Sequence, residues 1–462
     1  MPCRAACLAA TLVVIAAASP VAARLQSIVR VRSGEPVAVA AGEEAAVQAI
    51  ALGDVNKDAR PDVVVIDRED DRFAVLLGGG DGTFVPAQAI DTDDTPTAVA
   101  IADLASPFAS EAAGRPDGNP DVVVADENGA VFVFLGRGDG GFDPPEQELD
   151  EIVDGVELIG IAVADFDGNG DLDLAVLDVF DEVYILCNDA GALGACATSL
   201  VATNGVGAVA IRAGDFDGND ALDLAVLNRD SRDLSVLYGD GTGAFETPDH
   251  TFSATAGGEQ APVDLAVARL DLDSDDDLII ANRESFADVS LLGLIGRPER
   301  RFERRPFVGP FSAAAIAAAD FDNDDAVDAL VVSSQGPDFA SLLRGDGTGS
   351  LLAPYFPPGL RITSWRDVEA GDLTGDGRID LVTLAADGTS LVAAVNVTAA
   401  FCAGDCDSNE VVSVEELLLG VGIALGNQVT NQCVALDSDA SNSVEVYELI
   451  AAVRVALMGC LG

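Results

Sequence analysis

Basic residues are scarce in this chain. Lys57 is the only lysine, and 25 Lys and Arg stand against 78 Asp and Glu, for a formal net charge of −53. A surface of that sign repels nucleic acid and anionic membranes, so neither a nucleic-acid partner nor membrane insertion is expected, while cations and basic partners are favoured. Histidine is nearly absent too: His250 is the only one, in a turn between two repeat units. There is no Gly-x-Ser-x-Gly context and no thiol that reads as free, so no convergent acid, base or nucleophile is visible and no enzyme activity is expected. Long apolar runs are missing except for residues 5–18, which are too short for a comfortable membrane span. Arg4 ahead of that run and Val21-Ala22-Ala23 after it read as a signal peptide over residues 1–23, cleaved after Ala23. Cys7 precedes the apolar run, the wrong place for lipid attachment. Helical spacing is absent before residue 411, which argues against an α/β fold.

Cleavage would remove Cys3 and Cys7 and leave six cysteines, an even number that reads as disulfides in an exported chain. Cys187 and Cys196 are placed to close a local hairpin; Cys402, Cys406, Cys433 and Cys460 permit three pairings. Nearly half of the residues are apolar, which excludes a disordered acidic tail. The acids therefore need a local explanation.

A repeat supplies one. Asp165-Phe-Asp-Gly-Asn-Gly-Asp-Leu-Asp173 recurs at 215–223, 320–328, 372–380 and 54–62. Two degenerate copies run from Arg269 to Asp277, and from Asp103 through an insertion to Asp117-Gly-Asn-Pro-Asp121. The seven starts are 54, 103, 165, 215, 269, 320 and 372. A short strand of small apolar residues precedes each loop, and a β-branched or aliphatic strand follows, such as Asp62-Val-Val-Val-Ile66. A third strand leads to a glycine turn and a phenylalanine, as in Gly80-Asp-Gly-Thr-Phe84, which is expected to open a fourth strand. Four short strands per unit make one propeller blade, so residues 24–398 predict an all-β, seven-bladed β-propeller. A β-sandwich would not repeat one loop signature in every unit. The last unit runs out at its third strand, 391–397, and the spare segment at 27–32, with 37–39 after it, is expected to complete that blade and close the ring.

Oxygen-bearing side chains at alternate loop positions suit a hard cation such as calcium. The expected ligands are Asp54, Asn56, Asp58 and Asp62; Asp165, Asp167, Asn169, Asp171 and Asp173; Asp215, Asp217, Asn219 and Asp223; Asp320, Asp322, Asp324 and Asp328; and Asp372, Thr374, Asp376 and Asp380. The bland alternative is an Asp/Asn/Gly turn without metal, but five intact copies of clustered carboxylates would repel one another without a cation. In the fifth copy Arg269 replaces the first ligand while Asp271, Asp273, Asp275 and Asp277 persist, so that guanidinium is a candidate for the cation position. That copy and the one at Asp103 are expected to be empty or weak.

These loops and the glycine turn before phenylalanine resemble the FG-GAP, or VCBS-type, repeat of integrin α-subunit propellers, over roughly residues 27–398. The resemblance implies calcium at the blade loops and a role in adhesion or in binding a protein or glycan. Arg137-Gly-Asp139 and Arg344-Gly-Asp346 spell a cell-attachment tripeptide, but both lie in the glycine turn that the blade itself requires. Asn396-Val-Thr398 is a glycosylation sequon.

From Cys402 the pattern changes. Asp405, Asp407, Asn409, Ser413 and Glu416 fall at positions 1, 3, 5, 9 and 12 of an EF-hand loop, and Asp437, Asp439, Ser441, Glu445 and Glu448 repeat the plan. Helical periodicity follows each: Val414, Leu417, Leu418, Val421, Leu425, then Val446, Leu449, Ile450, Val453, Leu457. This duplicated loop–helix unit over residues 402–462 resembles a type I dockerin, which implies docking to a cohesin-like partner. The plainer alternative is a disulfide-stapled calcium domain that only caps the chain. Two functions compete: an exported calcium-binding adhesion or recognition protein, or a dockerin-tagged lyase or hydrolase acting on polysaccharide.

Overall fold

The computed structural model describes residues 31–33, 37–38 and 47–396, apart from 93, 105–116, 144–146, 150–154, 190–191, 249–250, 256–259, 272, 284–288, 298–299, 311, 334–339, 355–364, 386–387 and 389, together with 412–425, 449 and 453. The chain divides into two units, residues 28–398 and residues 1–27 with 399–462.

The larger unit is a seven-bladed β-propeller in which every blade is an antiparallel sheet, built from consecutive strands in the first six. Blade one contains Val47–Gly53, Asp62–Asp67, Arg72–Gly78 and Phe84–Asp91. Blade two contains Pro96–Ala102, Asp121–Asp126, Val131–Phe134 and Gln147–Leu149. Blade three contains Leu158–Ala164, Asp173–Asp178, Glu182–Asp189 and Ala192–Ala202. Blade four contains Ala208–Gly214, Asp223–Asn228, Asp233–Leu237 and Phe252–Ser253. Blade five contains Ala261–Ala268, Asp277–Arg283, Val289–Arg297 and Arg301–Val308. Blade six has three strands among the described residues, Ala313–Ala319, Asp328–Ser333 and Ala340–Leu343. Blade seven contains Trp365–Gly371, Asp380–Ala385 and Ser390–Asn396.

Ring closure follows the expectation. Val31–Ser33 pairs with the last strand, Val31 opposite Asn396, and Val37–Ala38 continues along it, Val37 opposite Leu391. The fourth strands depart from it in part. Phe84 opens one in blade one, but Phe142 and Phe245 make only isolated bridges, to Gly136 and Gly239, and the outer strands of blades two and four begin later.

The second strands are runs of aliphatic residues, broken in blade seven by Thr383, because both faces are covered by neighbouring blades. Val63, Val64, Val65 and Ile66 are at most 1% exposed, and burial of each such side chain is worth roughly 1.5–3 kcal/mol. Seven hydrophobic clusters fill the seven blade-to-blade interfaces, the last joining Leu373, Val382, Leu384 and Leu391 of blade seven to Ile50, Val63, Val65 and Leu76 of blade one. Cys187 and Cys196 form the expected disulfide across the outer hairpin of blade three.

In the other unit the described segment is the helix Val414–Ala424. Ser413 and Glu416 form a capping box at its start: the Ser413 hydroxyl accepts from the Glu416 N–H, and the Glu416 carboxylate accepts from the Ser413 N–H at 2.7 Å. Leu449 and Val453 are also helical. No described helix is long and apolar enough to cross a membrane. Residues 1–30, His250, Asp405, Asp407, Asn409, Asp437, Asp439, Ser441, Glu445, Glu448 and the cysteines Cys402, Cys406, Cys433 and Cys460 lie outside the described residues.

Candidate metal loops and the inner charged residues

Every acidic loop lies between the first and second strands of its blade, and two recurring hydrogen-bond patterns shape these loops. The first-position carboxylate folds the loop over itself by accepting the sixth-position N–H. Asp54 takes it from Ala59, Asp165 from Gly170, Asp215 from Asp220, Asp320 from Asp325 and Asp372 from Gly377, all at 2.8–2.9 Å. The turn needs left-handed backbone at the fourth and sixth positions. Gly168 and Gly170 supply it freely in blade three, with φ of 75° and 94°. Lys57 and Ala59 adopt it in blade one at 60° and 65°, each at a steric cost of roughly 1–2 kcal/mol.

The ninth-position aspartate has a separate job. In all seven blades its Oδ2 accepts the second-position N–H, from Val55, Leu104, Phe166, Phe216, Leu270, Phe321 or Leu373, at 2.7–3.0 Å. Its Oδ1 accepts an N–H at the end of the third strand, from Gly78, Gly136, Asn188, Gly239, Gly296, Gly345 or Asn396, at 2.6–2.8 Å. Asp62, Asp121, Asp173, Asp223, Asp277, Asp328 and Asp380 thus clamp loop to sheet, and each is at most 3% exposed. Burial pushes their carboxyls up, to about 6 for Asp62 and Asp173, about 7 for Asp223 and about 8 for Asp328, with the other loop carboxylates adding to the rise and the two N–H donors opposing it.

The remaining oxygens are what a cation would meet. Carboxylate oxygens of Asp215, Asp217 and Asp223 lie within 4.8 Å of one another in blade four, as do those of Asp320, Asp322 and Asp328 in blade six and of Asp271, Asp273 and Asp277 in blade five. Such clusters are able to hold a metal ion. In blade three Asp167 and Asp173 approach each other beside Cys187, whose sulfur is committed to the disulfide and is no ligand. Blades one and seven carry Asn56 and Thr374 at the third position, and among the described residues their loops hold no carboxylate trio within 4.8 Å. Three third-position atoms are buried without a hydrogen-bond partner: Asp217 Oδ1, Asp322 Oδ1 and Thr374 Oγ1. The other oxygen of Asp217 is held by Arg300 Nε at 2.9 Å, and that of Asp322 lies 4.0 Å from Arg344. In the interrupted loop of blade two, Asp103 Oδ1 is similarly orphaned, while Asp103 Oδ2 accepts the Gly118 N–H. The only lysine, Lys57, reaches that loop from blade one and donates to Asn119 Oδ1 at 3.0 Å.

Arg269 does not stand in the cation position of blade five. It is 62% exposed and donates to Asp276, while Arg297, from the end of the third strand, contacts both Asp271 and Asp273. The sequence pattern pointed to the arginine inside the loop and missed Arg297, 26 residues downstream of Asp271, which returns to it.

A second missed group lies on the innermost strands. Two residues before the strand end, five blades have alanine, at 51, 100, 162, 266 and 317, but blades four and seven have Arg212 and Glu369. Two residues earlier the small residues Ala49, Ala98, Gly160, Ala210 and Ala315 give way to Asp264 and Asp367. Asp264 accepts from Arg212 at 3.3 Å and from the Ile316 N–H of the next blade at 3.0 Å; Asp367 accepts from the Ile50 N–H of blade one at 3.3 Å. Burial pushes Asp367 up to about 6 and Glu369 up to about 8, with Asp264 adding to both shifts and Arg212 opposing them. Arg212, Asp264 and Asp367 tie neighbouring blades together through these contacts.

A family model described as an FG-GAP-like repeat matches residues 54–105, 116–176 and 320–383, so the chain carries repeats of this kind. No curated protein matches it. Among solved structures, BBS1N in complex with ARL6DN, from a mercury-soaked crystal, is similar over 81% of this chain and 99% of that chain, at 13% identity and a TM-score of 0.52. The lead-soaked form gives 80%, 98%, 13% and 0.53. A protein from Lactobacillus plantarum is similar over 67% of this chain and 85% of its own, at 19% identity and a TM-score of 0.47. The first two likenesses are of fold.

Proposed function

We propose that this chain is an exported, calcium-loaded propeller that works by binding a protein or glycan. The observation that carries the calcium reading is the set of buried oxygens without partners at Asp217, Asp322 and Thr374, each inside an acidic loop. A buried polar atom left unsatisfied costs roughly 1–3 kcal/mol, and a hard cation at this place meets it while neutralising the carboxylates beside it. Asp215, Asp217, Asn219 and Asp223 would hold the ion in blade four, Asp320, Asp322, Asp324 and Asp328 in blade six, and Asp372, Thr374, Asp376 and Asp380 in blade seven. The sets at Asp54 and Asp165 are proposed on the same loop geometry. Calcium supplies charge neutralisation and cross-links the loop; it has no chemical step here. Export rests on the N-terminal apolar segment and on the Cys187–Cys196 disulfide.

The segment from Asp405 to Glu416 and its repeat at 437–448 are proposed as two further calcium loops of a docking module for a cohesin-like partner. Support comes from the capped helix at the expected place, which leaves Val414, Leu418, Val421 and Leu425 exposed on one stripe. The test is thermal melting of the mature protein in calcium and after exhaustive chelation. Calcium binding to the folded state raises the melting temperature, by about 4 kcal/mol of stability per site at a thousand times its Kd. Indifference to chelation would sink the calcium reading. A glycan array with pull-down identifies the ligand class, and turnover in a polysaccharide activity screen would replace the binding role with an enzymatic one.

A further inference from the structure

Among the described residues the acidic loop of blade five, like those of blades one and three, has no orphaned oxygen, and here Arg297 meets one oxygen each of Asp271 and Asp273. Arg297 follows Gly296, whose N–H is clamped by Asp277 Oδ1 at 2.7 Å, so the register of the third strand brings its side chain back over the loop. Arg297 Nη1 lies 2.8 Å from Asp271 Oδ2 and 2.9 Å from Asp273 Oδ2, the third- and fifth-position ligand atoms. Its Nη2 donates to Glu303 at 3.1 Å, which fixes the guanidinium in place. The other oxygens are also met: Asp271 Oδ1 accepts the Asp273 N–H at 3.1 Å, and Asp273 Oδ1 accepts the Asp275 N–H at 3.2 Å. In blade four, by contrast, Arg300 holds one oxygen of Asp217 from the side and leaves the other without a partner.

We propose that Arg297 is the resident cation of blade five: the guanidinium occupies the place of a metal ion, and this blade keeps its acidic loop folded without calcium. The contrast with the other blades rests on the calcium reading above; the role of Arg297 inside its own loop does not. A guanidinium suits the task because it is always charged and presents several N–H donors in a fixed plane. Removing it leaves Asp271, Asp273 and Asp277 close together without a counterion, and that repulsion has to be met by a new cation or by loss of structure.

The experiment compares the full mature chain with Arg297→Leu, Arg297→Lys and an exposed control, Arg229→Leu, by melting in chelator and in calcium and by counting bound calcium with equilibrium dialysis. In chelator, Arg297→Leu is expected to melt several degrees below the wild type and the control, with Arg297→Lys in between. In calcium, Arg297→Leu should recover most of that loss. A double variant, Arg269→Asp with Arg297→Leu, restores a first ligand and should bind one more calcium than the wild type. An ion beside Asp271 in an anomalous-scattering map of the wild type overturns the proposal, as does an Arg297→Leu variant that melts with the control in chelator. If the wild type binds no calcium at any blade, the calcium reading fails, and the melting comparison in chelator still decides the role of Arg297.

Discussion

Asp277→Ala isolates the clamp from any metal effect, because blade five is the loop in which Arg297 already stands between the other acids. Asp277 is fully buried and accepts two backbone N–H groups, from Leu270 and Gly296, both at 2.7 Å. The substitution leaves both donors buried without acceptors. Each unsatisfied group costs roughly 1–3 kcal/mol, so the loss should be about 2–6 kcal/mol. Asp277→Asn keeps one acceptor but turns an amide N–H toward the second donor, and it should be at least half as damaging. The assay is urea unfolding at 25 °C with the m-value held as a check on the two-state reading. The loss should be the same in calcium and in chelator. A loss under about 1 kcal/mol would falsify the clamp as a source of stability. A loss present only in calcium would show that Asp277 acts as a metal ligand instead.

Three further outcomes are expected. Deleting residues 24–40 removes Val31–Ser33 and Val37–Ala38 from blade seven, so limited proteolysis should degrade the whole propeller faster; a truncated chain as resistant as the mature one would show that these strands do not lock the ring. Glu369, pushed by burial from 4.5 up to about 8, is protonated when folded and ionised when unfolded between those values, so its contribution is complete below about pH 4.5 and is lost as pH rises through about 8. Glu369→Gln should flatten that fall by up to about 1.4 kcal/mol per pH unit in denaturant titrations, and parallel pH curves for variant and wild type would contradict the assignment. Replacing Cys187 and Cys196 by serine opens a cross-link between residues nine apart in sequence and should cost about 2–3 kcal/mol, read as a lower urea midpoint; an unchanged midpoint would mean that strand pairing alone holds this hairpin.

The parts of this protein that were legible in its sequence are those written in short, repeated stretches. The loop signature, the aliphatic second strands and the disulfide hairpin all depend on residues within about one blade. The closing strand was legible by elimination, because the last unit lacks a fourth strand and the segment near Val31 belongs to no other unit. The outer strands were read less well. Phe142 and Phe245 sit after the same glycine turn as Phe84, but they pack as bridges in the interfaces between blades, Phe245 against Phe166 with ring centroids 5.5 Å apart, and the strand proper starts later. Arg297 was not legible because strand register, not spacing, returns it to the loop. Arg212, Asp264, Asp367 and Glu369 did leave a signal: four charges at aligned positions of strands that are otherwise alanine and glycine there.

The loop signature itself merges two functions that the structure separates. Its ninth aspartate is present in all seven copies and spends both oxygens on backbone N–H groups, whatever the rest of the loop contains. Its survival in a degenerate copy therefore reports that the blade must be clamped, and says nothing about a metal. The third position behaves differently. It is an orphaned oxygen in blades four, six and seven and an arginine-held one in blade five. Occupancy by a cation should accordingly follow the third position and the nearest basic side chain, not the count of aspartates in the motif.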